Sequence, residues 1–213
     1  MTTPAGPSTA ERTTVPPTLI VITDRHATAR AGRSVPQVVD AALDGGAPAI
    51  LLRDKDLPPA ARRSLGKELA SLVADAGAQL LVASDVALAR ELGATGVHLA
   101  SDDPPCREPV GLLGRSCHNR DEVAAARTEG ASYALVSPVT ASGSKPGYGP
   151  ALGPAGVREL VATAGDLPLL ALGGVTPANA AHWREAGAYG LAVMGGVMAA
   201  VDPMATVTAL LDA

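Results

Sequence analysis

Eight short apolar runs punctuate the chain, at 19–23, 49–52, 80–83, 96–99, 113–116, 133–136, 169–172 and 190–194. Each is four or five residues long, and none alternates cleanly between apolar and polar positions. A strand buried on both faces reads this way, because no side chain in it meets water. Stretches with helix-boundary signals lie between the runs. Residues 36–44 stop at Gly45 and Gly46, 59–76 open on prolines and stop at Gly77, and 85–92 start on Asp85 and stop at Gly93. Asn119 is placed to cap 120–129, with Gly130 closing it, and 154–164, 177–186 and 203–211 each have proline near the start. A capping side chain or proline in front and glycine behind are what helix ends require. Residues 101–112 read as loop. Strands alternating with helices imply parallel pairing through right-handed crossovers. Eight such units closing on themselves make an α/β fold, a single-domain (β/α)8 TIM barrel, with its site at the carboxyl ends of the strands.

With 213 residues the chain is near the lower end for this barrel. The expected division is a disordered tail over 1–18, rich in Thr, Pro and Ala, and one domain over 19–213. Phenylalanine is absent and aromatics total 2%, so Val, Leu, Ile and Ala must fill the core. The net charge is −4 with Lys and Arg dispersed, which argues against a nucleic-acid surface. No apolar segment is long enough to span a membrane, and 1–18 lack the apolar run of a secretory signal. A cytoplasmic protein is the expectation. Cys106 and Cys117 suggest neither a disulfide scaffold nor a zinc site.

The strand ends carry the chemistry. The second run leads into Arg53, Asp54 and Lys55, the third into Ser84 and Asp85, and the fourth into Ser101, Asp102 and Asp103. The fifth presents Ser116, Cys117 and His118. Gly173 and Gly174 follow the seventh run, and Gly195 and Gly196 the eighth. Glycines at these two positions let backbone N–H groups approach an anion, which is the frequent phosphate site of such barrels; otherwise they serve only as tight turns. The loop after the sixth run holds Ser142, Ser144 and Lys145, hydroxyls and an ammonium suited to phosphate oxygens or to a solvated surface loop. Asp85 and Asp103 at adjacent strand ends could hold Mg2+ beside a diphosphate, or serve as a helix cap and a solvated loop residue. His118 has the chemistry to move a proton near neutral pH. Cys117 reads as packing, since neighbouring strand residues point to opposite faces, and His98 as a core or lumen residue.

Seven segments in order resemble the thiamine phosphate synthase/TenI family: ITDR (22–25), LLRDKDL (51–57), ASDVALARELGATGVHLASDD (83–103), GRSCH (114–118), SPVTASGSKPG (137–147), ALGGV (171–175) and AVMGGV (192–197). The resemblance implies a transferase of thiamine biosynthesis, joining a hydroxymethylpyrimidine diphosphate to a thiazole phosphate with release of pyrophosphate. It implies small phosphate and diphosphate substrates, Mg2+ as cofactor and a homodimer. By position, Arg53 and Lys55 would touch diphosphate, and Asp85 and Asp103 would hold Mg2+. Ser116 and Lys145 would meet the diphosphate end, and Ser142 and Ser144 the thiazole phosphate. Gly174 and Gly195 would offer it backbone N–H groups. Leu51 and Ser84 stand where synthases usually have Gln and Asn, Ala100-Ser101 where they have Gly-Gln, and Thr140 where they have an aromatic. The positions that would read the pyrimidine edge are thus altered while the metal and diphosphate positions are kept. Two further readings follow. TenI-type thiazole tautomerases carry a proton-transferring histidine where this chain has His118, and a non-catalytic phosphate-ligand binding paralogue would keep the scaffold alone.

Overall fold

The computed structural model describes residues 15–108, 111–140 and 150–213. Eight parallel strands close into a barrel in sequence order: β1 (Leu19–Ile22), β2 (Ala49–Leu52), β3 (Gln79–Ala83), β4 (Gly96–Leu99), β5 (Leu112–Cys117), β6 (Tyr133–Val136), β7 (Leu169–Leu172) and β8 (Gly190–Val193). β1 pairs with both β2 and β8, which closes the ring. Around it lie α1 (Arg25–Arg30), α2 (Val35–Asp44), α3 (Pro59–Asp75), α4 (Val86–Glu91), α5 (Arg120–Glu129), α6 (Gly153–Ala164), α7 (Ala180–Glu185), α8 (Gly195–Met198) and α9 (Pro203–Asp212).

Strand residues divide by parity. Ile20, Ile22, Leu51, Leu81, Leu135, Leu170 and Ala192 fill the lumen. Leu19, Val21, Ile50, Leu52, Val82 and Val97 pack outward under the helices. On α2 the matching stripe is Val35, Val38, Val39, Ala42 and Leu43, and each full burial of such a large side chain stabilises by about 1.5–3 kcal/mol. The lumen is narrow enough to demand glycine in places. A Cβ on Gly96 would lie 2.3 Å from the Leu112 carbonyl oxygen.

Three details differ from the sequence expectation. The six-residue α1 (RHATAR) carries no apolar stripe to betray it; it forms because the Asp24 carboxylate accepts from the His26 and Ala27 N–H groups, both at 3.0 Å. The four-residue α8 opens on two glycines, the weakest helix formers apart from proline. The expected helix over 177–186 splits into a 3-10 turn (Pro177–Asn179) and α7. Of the expected tail, residues 15–18 lie against the barrel. Val15 and Pro16 accept hydrogen bonds from Gln79 and Tyr189, each at 3.0 Å. The rest of that tail lies outside the described residues.

Candidate active site

A cavity of about 1560 Å3 opens at the carboxyl ends of the strands. Its floor is apolar, with Ile22, Leu51, Ala83, Leu135, Leu172 and Ala192. On one side stand Arg53, Lys55, His98, Ser116 and His118; on the β7 and β8 side stand Gly173, Gly174, Gly195 and Gly196. The fold therefore brings these nine residues of the sequence analysis to one space. Ser142, Ser144 and Lys145 lie outside the described residues.

Ser84 and Asp103 sit beside this cavity and line a smaller one of about 380 Å3. The Lys55 ammonium donates to Ser84 Oγ, and the Ser84 hydroxyl donates to Asp103 Oδ2. The Ala100 N–H donates to the same oxygen at 2.7 Å. Burial pushes the Asp103 carboxyl up, but those two hydrogen bonds and the Lys55 and Arg115 charges outweigh it and hold the group below its usual value. Ser84 has φ +54°, left-handed backbone that non-glycine residues seldom adopt.

Asp85 is the N-cap of α4. Its Oδ1 accepts from the Leu88 N–H at 2.8 Å, and its Oδ2 lies 3.4 Å from Arg62. It lines neither cavity. Among the described residues no group of three or more His, Cys, Asp or Glu could hold a metal. An ion between Asp85 and Asp103 would have to complete its shell with substrate oxygens and water, which is how Mg2+ is commonly held.

Two arginines absent from the sequence analysis organise this region. Arg62, from α3, donates to the Ala83 carbonyl at 2.6 Å and to the Arg53 carbonyl at 3.3 Å, tying the ends of β2 and β3 together. Arg115 points outward from β5 and forms a double hydrogen bond with Glu129, at 2.7 and 2.9 Å. It also donates to the Ala100 and Asp103 carbonyls, both at 2.8 Å, and so holds the loop that carries Asp103. An arginine inside an otherwise apolar strand was the signal that could have exposed it, because a buried cation needs a partner.

His118 follows β5, with Nδ1 2.9 Å from Glu122 Oε2; its backbone N–H donates to the same oxygen at 2.8 Å. The i, i+4 spacing could have revealed Glu122. Cys117 is buried outside the lumen, and burial pushes its thiol up to about 12, consistent with packing rather than nucleophilic chemistry. His98 is buried in the lumen wall; burial, then the Lys55 and Arg115 charges, lower its pKa to about 3. Gly173, at φ +100°, accepts the Thr140 N–H at 3.1 Å, and a Cβ there would come within 3.0 Å of Pro138 Cα. Glycine is what lets the segment after β6 lie against the end of β7.

These features define a parallel (β/α)8 barrel whose working face is a cavity at the strand carboxyl ends, cationic and acidic along β2–β4 and glycine-lined along β7–β8. The profile of the thiamine monophosphate synthase family matches residues 19–197. A thiamine-phosphate synthase of Roseiflexus castenholzii is 43% identical over 198 residues, covering 90% of this chain and 86% of that one. One from Natronomonas pharaonis is 40% identical over 191 residues, covering 86% and 89%. The solved structure of thiamine phosphate pyrophosphorylase from Pyrococcus furiosus superposes with a TM-score of 0.81 at 30% identity, over 91% of this chain and 93% of that one. The chain belongs to the thiamine monophosphate synthase family.

Proposed function

We propose that the chain is a thiamine-phosphate synthase, a transferase that joins hydroxymethylpyrimidine diphosphate to thiazole phosphate and releases pyrophosphate. The observation that carries this reading is the Lys55–Ser84–Asp103 hydrogen-bond chain across the ends of β2, β3 and β4, standing beside an apolar lumen. In the reaction the bond between the pyrimidine methylene carbon and the diphosphate oxygen breaks, and its electron pair leaves on oxygen. The thiazole nitrogen supplies the pair for the new C–N bond. Arg53 and Lys55 stand where negative charge grows on the leaving group, so they stabilise the transition state more than the bound substrate.

The floor of Ile22, Leu51, Ala83, Leu135 and Ala192 offers no side-chain hydrogen-bonding group to hold a water that would compete for the electron-poor carbon. His98 is neutral and adds no positive charge to the lumen wall. Gly173, Gly174, Gly195 and Gly196, with Ser142 and Ser144, would take the thiazole phosphate, and Lys145 would join Ser116 at the diphosphate end. Asp85 and Asp103 would hold Mg2+, whose chemistry is to neutralise diphosphate charge when bound. The test is thiamine phosphate formation from the two substrates with Mg2+ and then with EDTA. Product only with Mg2+ supports the synthase; no product in either condition rejects it. His118, which lines the same cavity and is paired with Glu122, favours a second reading, a thiazole tautomerase. Metal-independent proton exchange on the thiazole, lost in His118→Gln, would select it.

A further inference from the structure

Three adjacent strands place an unusual set of polar groups in the lumen wall. Tyr133 begins β6, is fully buried, and its hydroxyl lies 3.2 Å from His98 Nδ1 on β4. His98 Nε2 lies 3.0 Å from Ser116 Oγ on β5. The strand register puts His98 opposite Gly114 and Gly114 opposite Tyr133. The two rings stack over that glycine with centroids 5.6 Å apart. A Cβ on Gly114 would lie 2.4 Å from the Tyr133 hydroxyl and 2.5 Å from His98 Nδ1, so the hydrogen bond occupies the space of the missing side chain. Ser116 and His98 line the large cavity, whereas Tyr133 does not.

The direction of these hydrogen bonds follows from counting protons. The phenol keeps its proton, since burial pushes its pKa up, and the imidazole is neutral. A neutral imidazole has one donor and one acceptor nitrogen. If Nδ1 carried the hydrogen, the phenol hydrogen would lack an acceptor among the described residues, and buried hydroxyls are rarely left so. The phenol therefore donates to Nδ1, Nε2–H donates to Ser116 Oγ, and the serine hydrogen is turned to the cavity.

We propose that Tyr133 and His98 are positioning residues that set Ser116 as a hydrogen-bond donor toward the anionic, diphosphate end of the substrate. This rests on the synthase reading for the identity of the anion. The relay fixes which way the serine dipole points before substrate arrives, and a preset donor needs no reorganisation as charge develops.

The test uses the full chain labelled with 15N-histidine. Long-range 1H–15N spectra, with His98 assigned by its loss in His98→Gln, read its tautomer. Binding of inorganic pyrophosphate with Mg2+ is measured alongside for the wild type, Tyr133→Phe, Ser116→Ala and the double variant. The expected results are Nε2–H in the wild type and loss of that tautomer in Tyr133→Phe. Affinity should fall roughly tenfold in either single variant, as for one hydrogen bond to a charged group, with no further fall in the double. Nδ1–H in the wild type, unchanged affinity in Tyr133→Phe, or additive losses would overturn the relay. A wild type that neither binds pyrophosphate nor forms thiamine phosphate would instead reject the synthase reading and with it the anion assigned to Ser116. The wild-type tautomer, which by itself can overturn the relay, is read without Tyr133→Phe or Ser116→Ala having to fold.

Discussion

Glu129→Gln tests whether the strap beneath the Asp103 loop is held by charge. Arg115 is buried and Glu129 largely so, with side-chain exposures of 7% and 14%. Glu129 accepts two Arg115 hydrogen bonds and one from the Cys106 N–H at 2.8 Å. The amide keeps the shape, leaves the guanidinium charge unpaired and turns an NH2 toward one of its donors. Removing one partner of a buried pair costs about 3–5 kcal/mol; Arg115 keeps the Ala100, Asp103 and Pro104 carbonyls as acceptors, so about 3 kcal/mol is expected. For a domain of this size that lowers Tm by roughly 6–12 °C.

The hydrogen bonds from Arg115 hold the Glu129 carboxyl below its usual value, against the opposing effect of burial. Its contribution is therefore complete above the unfolded-state pKa of about 4.3 and is lost as pH falls through the lower folded value. Thermal melts by circular dichroism at pH 7 and across the acid range give the check. The wild type and Glu129→Gln should differ most near neutrality and converge below about pH 4. A shift under about 2 °C at pH 7, or a gap that widens in acid, would refute a charge-held strap.

Asp103→Asn should lower Mg2+-dependent turnover at least about a hundredfold, and more than Asp85→Asn, in steady-state assays over a Mg2+ titration; equal effects would deny Asp103 its leading role. Ser84→Asn should raise stability by about 0.5–1 kcal/mol in denaturant titration, because Asn tolerates left-handed backbone better than Ser; a loss would show that the Ser84 hydrogen bonds matter more. Gly114→Ala should cost about 3 kcal/mol in the same titration, since its Cβ would meet the Tyr133 ring at 2.3 Å; a neutral result would mean the lumen can open there.

Strand positions were readable because most runs buried on both faces are apolar throughout, with His98, Arg115 and Ser116 among the few polar members. The expected bounds differ from the observed ones by at most one residue at any strand end. The barrel rule then put Arg53, Lys55, Ser116, His118 and the two glycine pairs on one face without knowledge of a single contact. What stayed hidden depends on register. Tyr133, Gly114 and His98 are separated in sequence, and only the alignment of three strands makes one group of them. Glu129 ends α5, and nothing local to that helix says that its carboxylate turns back under β5 to meet Arg115. Asp85 shows the converse: the residue reads equally as cap or metal ligand, and the hydrogen bond to Leu88 shows the first role in place.

The two carboxylates at the strand ends are consequently unequal. Asp85 commits one oxygen to a helix N-terminus and the other to Arg62, a cation fixed by backbone carbonyls. Any ion it met would have to share it with that guanidinium. Asp103 receives hydrogen bonds from neutral donors at Oδ2 alone, and its second oxygen accepts none among the described residues. It stays ionised, and the loop carrying it is clamped by Arg115 from behind rather than at the carboxylate. The buried arginines thus divide the work: Arg62 braces the β2 and β3 ends and spends Asp85 in doing so, while Arg115 supports the backbone and leaves the Asp103 charge available. A reaction that expels a diphosphate needs an anionic group able to hold a cation against it, and under the proposed synthase reading that group would be Asp103, aligned through Ser84 with the Lys55 ammonium.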